Sequence, residues 1–228
     1  MVIVSIHQPG YFPWLGFFEK IIRSDIFVFL DDAQYMKKQW HNRNKIRTEY
    51  GSKWLTVPVH AIFGENINTV QIDSSKNWIL EHENAISSSY ESSNFFHQYF
   101  PQITSIFSKH HSKLIDLNID LIILMCKILE IKTKIIRSSE LEIHSSGSRR
   151  ILDICKKLDA DEYLSGIMGR NYLVLEDFIQ NKIQVIFQDY VHPTYRQAYT
   201  PFLPNMGILD LVLNEGSDSK KIILNNTN

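Results

Sequence analysis

The chain opens on Val2-Ile3-Val4-Ser5-Ile6, breaks at His7-Gln8-Pro9-Gly10-Tyr11-Phe12-Pro13-Trp14, and enters a second apolar run at Ile26-Phe27-Val28-Phe29-Leu30. Between the runs, Leu15, Phe18, Ile21 and Ile22 recur at helical spacing. Pro9 and Pro13 forbid a helix across the turn. Strand, helix, strand makes a βαβ unit, so the two strands are expected to be parallel. Ligands of such sheets gather beyond the carboxyl ends of the strands. Here those ends are His7-Gln8 and Asp31-Asp32.

Working outward, Trp54 to Val59 reads as a third strand and Thr69 to Ile72 as a short fourth. From Asn77 the period becomes helical. Trp78, Ile79, His82, Ala85 and Ile86 share one face, and Phe95, Phe96, Tyr99, Phe100, Ile103 and Phe107 share another. Leu114, Leu117, Leu121, Leu124, Ile128 and Leu129 form a third. These aromatics suit either a lid or helix packing, and packing is their commoner use. Strand signals return at Lys134 to Arg137, Tyr163 to Gly166 and Ile183 to Phe187. Helices are expected at 149–158 and 171–180. The reading is an α/β fold: a mostly parallel core from residues 1–72 and 132–190, with a helical insertion at 77–131, in one domain spanning 1–228. From Asn214 the chain is polar and is expected to fray.

Composition narrows the class. The 228 residues are 44% hydrophobic and 21% charged, with a net charge of -1, as in ordinary folded proteins. Near-neutral charge argues against a nucleic-acid partner as first choice, although five Lys or Arg fall between Lys37 and Arg47 around Trp40. Cys126 and Cys155 have neither metal nor disulfide spacing, which fits a cytoplasmic setting. Met1-Val2-Ile3-Val4 lacks the basic start of a secretory signal. Asp116, Asn118, Asp120 and Lys127 interrupt the apolar stretch 114–131, so no membrane span is expected.

Several groups suit chemistry. His7 ends a strand and is a candidate acid, base or phosphate donor; a loop-tying hydrogen bond is the bland reading. Asp31 and Asp32 suit magnesium, a ribose or an ammonium group, or else a cap or turn. Asn42, Arg43, Asn44 and Lys45 form a dense array of donors in which Arg43 fits a phosphate or carboxylate through its fork. Ser165-Gly166, with Arg170, offers backbone N–H groups to an anion, or merely closes a loop. Gln8, Tyr11, Trp14, Gln34 and His192 complete the candidate substrate-binding set. No metal spacing and no nucleophilic triad are legible.

Ile6-His7-Gln8-Pro9, Tyr11 to Phe18, Phe29 to Gln34, Asn42-Arg43-Asn44-Lys45-Ile46, Leu164-Ser165-Gly166, Phe187-Gln188-Asp189 and His192-Pro193 together resemble the WbqC-like family. The likeness spans nearly the whole chain. It implies a place in surface-polysaccharide (O-antigen, lipopolysaccharide) biosynthesis. A second likeness is to nucleotidyltransferase-like (Rossmann-like) folds, and Tyr163 to Leu173 is similar to the Ser-Arg-Asn stretch of pantothenate synthetases. Phe12-Pro13-Trp14 replaces the second His of the paired-His signature of those folds. The leading expectation is a transferase or ligase that attaches an acyl or aminoacyl group to a nucleotide-linked amino sugar, with ATP and magnesium activating the carboxylate. The catalytic residues would be His7, Asp31 and Asp32. Alternatives are a non-catalytic scaffolding subunit of the assembly machinery and an RNA-binding module using Lys37 to Arg47.

Overall fold

The computed structural model describes residues 1–225. Its core is a five-stranded, all-parallel sheet. The strands are β1 (Ile3–His7), β2 (Ile26–Phe29), β7 (Lys134–Arg137), β8 (Glu162–Ser165) and β9 (Gln184–Phe187), in the order β7-β2-β1-β8-β9. Helix α1 (Leu15–Ile22) carries the crossover from β1 to β2, as the opening stretch implies. Helices α5 (Gly147–Lys157) and α6 (Leu175–Gln180) carry the later crossovers. The chain first extends the sheet on one side of β1, through β2 and β7, and then returns to the other side with β8. That reversal places a crevice above β1, where open α/β sheets hold ligands.

Strand alternation divides the core. Val4, Ile6, Val28 and Tyr163 pack with Ile151, Leu152, Ile154 and Cys155 of α5 on one face. Phe27 and Phe29 join Leu15, Phe18 and Ile21 of α1 on the other, within a larger cluster. That cluster also takes in α2 (Trp78–Tyr90), α3 (Phe96–Phe107) and α4 (Leu114–Ile128), whose aromatics are packed as core. No helix among the described residues is long and apolar enough to cross a membrane.

Two expectations are corrected. Residues 43–72 do not extend the parallel sheet. They make an antiparallel hairpin of β3 (Arg43–Thr48) and β4 (Gly51–Thr56), then a small pair of β5 (Val59–His60) and β6 (Gln71–Ile72). Only Glu49 and Tyr50 join β3 to β4, and a parallel return needs a far longer crossover. The tail does not fray at Asn214. Helix α7 (Ile208–Glu215) and helix α8 (Ser219–Leu224) both pack, with Leu211, Val212 and Ile223 fully buried. Polar composition hid this because Asn214 is itself buried: it donates to the Asp210 carbonyl, and its Oδ1 accepts from Ser93. Residues 226–228 of the expected tail lie outside the described residues.

Candidate active site

A cavity of about 870 Å³ opens beside the carboxyl end of β1. His7 reaches it as the last residue of β1, and Gln8 as the first residue of the following loop. That loop is tied to its neighbours by close approaches. Tyr11 N donates to the Trp40 carbonyl at 3.1 Å. A Cβ on Gly10 would stand 2.8 Å from the same oxygen, so only glycine fits there. Asn44 donates to the Phe12 carbonyl, against which Gly207 also packs.

Three histidines meet in the lining: His7, His41 and His192. His7 is half-buried and lines the cavity, and its ring packs edge-on against Phe17. Its Nδ1 donates to the Gln8 carbonyl at 2.9 Å, which leaves the lone pair on Nε2. Burial, with help from the nearby Lys20 ammonium, lowers its pKa to about 3. His41 accepts from Met36 N–H through Nδ1 at 3.4 Å, so its Nε2–H donates to Gln8 Oε1 at 2.9 Å. Burial lowers its pKa to about 4. His192 donates from Nδ1 to the Pro193 carbonyl at 3.0 Å, and burial lowers its pKa as well. All three rings are therefore neutral at pH 7. His192 Nε2 and the Tyr190 hydroxyl are buried and find no hydrogen-bond partner in the protein. Orphaned buried polar atoms in a cavity wall mark where a ligand would be held.

The walls are otherwise aromatic and neutral. Trp14 packs edge-on against Tyr190 at 5.6 Å, and Trp40 leans on Trp54 at 5.2 Å. Lys45 is the cation of the lining, and no Asp or Glu lines it among the described residues. Beneath the cavity lies a buried polar layer on α1. Lys20, 1% exposed, donates to the Ile6 carbonyl at 3.0 Å, and burial lowers its pKa to about 7. Glu19 accepts from Arg23 and from Gln188. A second layer centres on Asp210, which accepts from Tyr90, Tyr195 and Gln197 at 2.7–2.9 Å. It joins α2, α7 and the segment after β9 behind His192.

The structure brings His7, Gln8, Trp14, Asn44, Lys45 and His192 together. The other expected residues stand elsewhere. Tyr11 is fully buried and shares a hydrogen bond with His82 at 2.8 Å. Asn42 donates to the Val57 carbonyl at 2.8 Å. Gln34 is exposed off the cavity, where its backbone bridges Asn66. Arg43 stacks over Trp54 at 4.4 Å and donates to the Lys38 carbonyl. Strand alternation separates these donors: Arg43 and Lys45 face one side of the hairpin, Asn42 and Asn44 the other. Ser165 is buried and bonded to the Gly166 carbonyl, Gly166 faces open space, and Arg170 covers Phe187 at 4.3 Å.

Asp31 and Asp32 are cross-links between β2 and the segment after β7. Asp31, 1% exposed, accepts from Ser138 Oγ, Ser139 N and Ser139 Oγ at 2.8–3.2 Å. Asp32 accepts from Ser138 and Arg150. Carboxylates this committed do not fit a magnesium site. Asp31→Ala should instead cost about 3 kcal/mol of folding stability in urea titration, because it strips buried donors of a charged acceptor, and should leave ligand binding at the cavity unchanged.

Residues 8–222 match the WbqC-like protein family. The chain belongs to that family. The WbqC-like chain is 33% identical over 220 residues to the Mycobacterium tuberculosis protein described as uncharacterized protein Rv1507c, covering 95% of each chain. No solved structure matches it. The matched range holds every lining residue except His7, which lies one residue before it. Tyr190, Lys20 and Gln188 were not among the candidate site residues read from sequence, although Gln188 lies in a quoted family motif, and Trp40 and His41 entered only within the Lys37 to Arg47 stretch of the RNA-binding alternative. His41 and Tyr190 sit beside quoted family motifs, which was the signal available for them. Lys20 had none, since a lysine on a short amphipathic helix reads as surface.

Proposed function

We propose that this WbqC-like protein is a transferase that places an acyl or aminoacyl group on the amine of a nucleotide-linked sugar for surface polysaccharide. The observation that carries the reading is the pairing, in one cavity, of neutral histidines with a cation and aromatic walls, with no carboxylate among the described residues of the lining. Aromatic rings accept the C–H faces of sugars and bases. Lys45 and neutral donors accept anionic oxygens, and no like charge opposes them.

The chemistry assigned to the chain is proton transfer and positioning. A sugar amine attacks the carbonyl carbon of an activated acyl donor, such as a thioester. The amine N–H proton passes to His7 Nε2, the C–N bond forms, and the donor's C–S bond breaks. The thiolate leaves with the electron pair and takes up the proton. The N–H of the tetrahedral intermediate is more acidic than that of a free ammonium, which suits an acceptor of low basicity. Tyr190 and His192 orient the substrate through the polar atoms that lack protein partners.

The test is to incubate the protein with uridine, guanosine and deoxythymidine diphosphate amino sugars and a panel of acyl thioesters, and to follow product mass. Acylated amino sugar, and none from the matching hydroxyl sugar, is the expected result. No mass change with any pair, together with unaltered co-purification of assembly proteins by the His7→Gln variant, would favour the scaffolding alternative. That alternative draws on the exposed Ile167, Met168, Tyr172, Ile179 and Val191.

A further inference from the structure

We propose that the β3–β4 hairpin and the Trp40 loop form a subsite that holds the nucleoside diphosphate part of the substrate without a divalent cation. The inference rests on the reading of the cavity as a nucleotide-sugar site and assigns the ends of that site.

Four observations carry it. First, Trp40 is 52% exposed and lines the cavity, while its ring is braced by Trp54 at 5.2 Å. A large ring held open at a cavity wall is a stacking platform for a base. Second, Lys45 lies directly opposite Trp54 across the hairpin, with its ammonium 5.1 Å from the Trp54 ring. The Lys45 charge and the Trp40 platform are therefore within about 10 Å of each other. That span suits the reach from a base across its ribose to its phosphates. Third, Arg43 braces this unit: its guanidinium stacks on Trp54 at 4.4 Å and ties to the Lys38 carbonyl in the Trp40 loop. Arg43 is a positioning residue, holding the platform rather than the phosphate. Fourth, the lining has no carboxylate among the described residues, and Asp31 and Asp32 are consumed elsewhere. A diphosphate entering here meets Lys45 and Ser52, which share one face of the hairpin, rather than an acid that would need a bridging cation. His7 and His192 then face the sugar end, since they belong to β1 and to the segment after β9, not to the hairpin or the Trp40 loop.

The experiment is calorimetric titration of the full chain with UDP, ADP and inorganic pyrophosphate, in EDTA and in magnesium. Both nucleotides are expected to bind in EDTA, with Kd changed less than about threefold by magnesium. Trp40→Leu should weaken UDP and ADP by about 5- to 150-fold, the range of one base stack, and leave pyrophosphate unaffected. Lys45→Gln should weaken all three by about 10-fold or more. Trp40→Phe keeps a smaller ring, is expected to bind UDP between wild type and Trp40→Leu, and serves if the leucine variant melts low. Nucleotide binding that Trp40→Leu and Trp40→Phe leave untouched, absence of nucleotide binding, or a tenfold tightening by magnesium would each overturn the proposal. Nucleotide binding as expected, with no amino sugar acylated, would leave this subsite standing and remove the transferase reading. Acyl transfer that proceeds unchanged in both Trp40 variants would do the reverse.

Discussion

Replacing His7 with glutamine is expected to lower the rate of acyl transfer by about 10²- to 10⁴-fold, the range of a lost general base. The Kd for UDP should change less than about threefold, because the nucleotide contacts lie on the hairpin. Glutamine can still donate from its amide, so the tie to the Gln8 carbonyl can be kept while the proton acceptor is lost. Single-turnover transfer assays and calorimetry on the same preparation separate the two effects. A His7→Gln variant that transfers at the wild-type rate would take proton transfer away from this residue. One that transfers slowly because UDP no longer binds would make His7 a binding group instead. His192→Gln is expected to raise KM more than it lowers kcat, since its free Nε2 is assigned to orientation.

The second large effect is on stability against pH. His7, His41 and His82 are held neutral with pKa values lowered to about 3, 4 and 4, in each case chiefly by burial. The unfolded chain protonates the same groups near 6.5, so between these limits it binds more protons than the folded chain. Stability is therefore lost as pH falls through this window. A tenfold difference in proton affinity between the two states is worth about 1.4 kcal/mol, and a whole domain holds only about 5–15 kcal/mol. Acid unfolding between pH 4 and 5 is the expected outcome. Lys20 acts at the other end. Burial lowers its pKa to about 7 from the ordinary 10.5, so the unfolded chain again binds more protons between those values. Stability should keep rising from pH 7 toward pH 10. Urea titrations at pH 4.5, 6.5, 8.5 and 10 measure both limbs. Lys20→Met should flatten the limb above pH 7 and, by removing the ammonium that helps to depress His7, soften the acid limb only in part, since His41 and His82 remain depressed by burial. A stability maximum near pH 6 with a decline on both sides would contradict the burial of these groups.

The strands and crossovers of the central sheet were legible because their signals are local. Apolar runs of four or five residues, helical spacing between them, and proline at the first turn are each read within a dozen neighbours. The βαβ reading of residues 2–30, the late strand signals at Lys134 to Arg137, Tyr163 to Gly166 and Ile183 to Phe187, and the helical periods after Asn77 all rest on such signals. They match the parallel sheet and the helices that flank it. Strand-end position, donor chemistry and the family motifs together put His7, Gln8, Trp14, Asn44, Lys45 and His192 in the candidate set, and the fold sets them around one cavity.

The rest depended on contacts between distant segments. Asp31 and Asp32 look available from sequence because nothing near them offers a donor. Ser138, Ser139 and Arg150, more than a hundred residues later, take up their oxygens. Four consecutive donors from Asn42 to Lys45 look like one anion site, yet the two-residue period of a strand sends alternate side chains to opposite faces. Lys20 looks solvated on its short helix, but α1 lies flat against β1 and turns that lysine onto the Ile6 carbonyl. The polar tail looks frayed until Asp210 and Asn214 find Tyr90, Tyr195 and Ser93. Sequence alone determined the period of each segment and therefore its element and its buried face. Tertiary structure decided which polar groups satisfy one another across the fold, because a buried donor or acceptor is placed by partners that the neighbouring sequence does not contain.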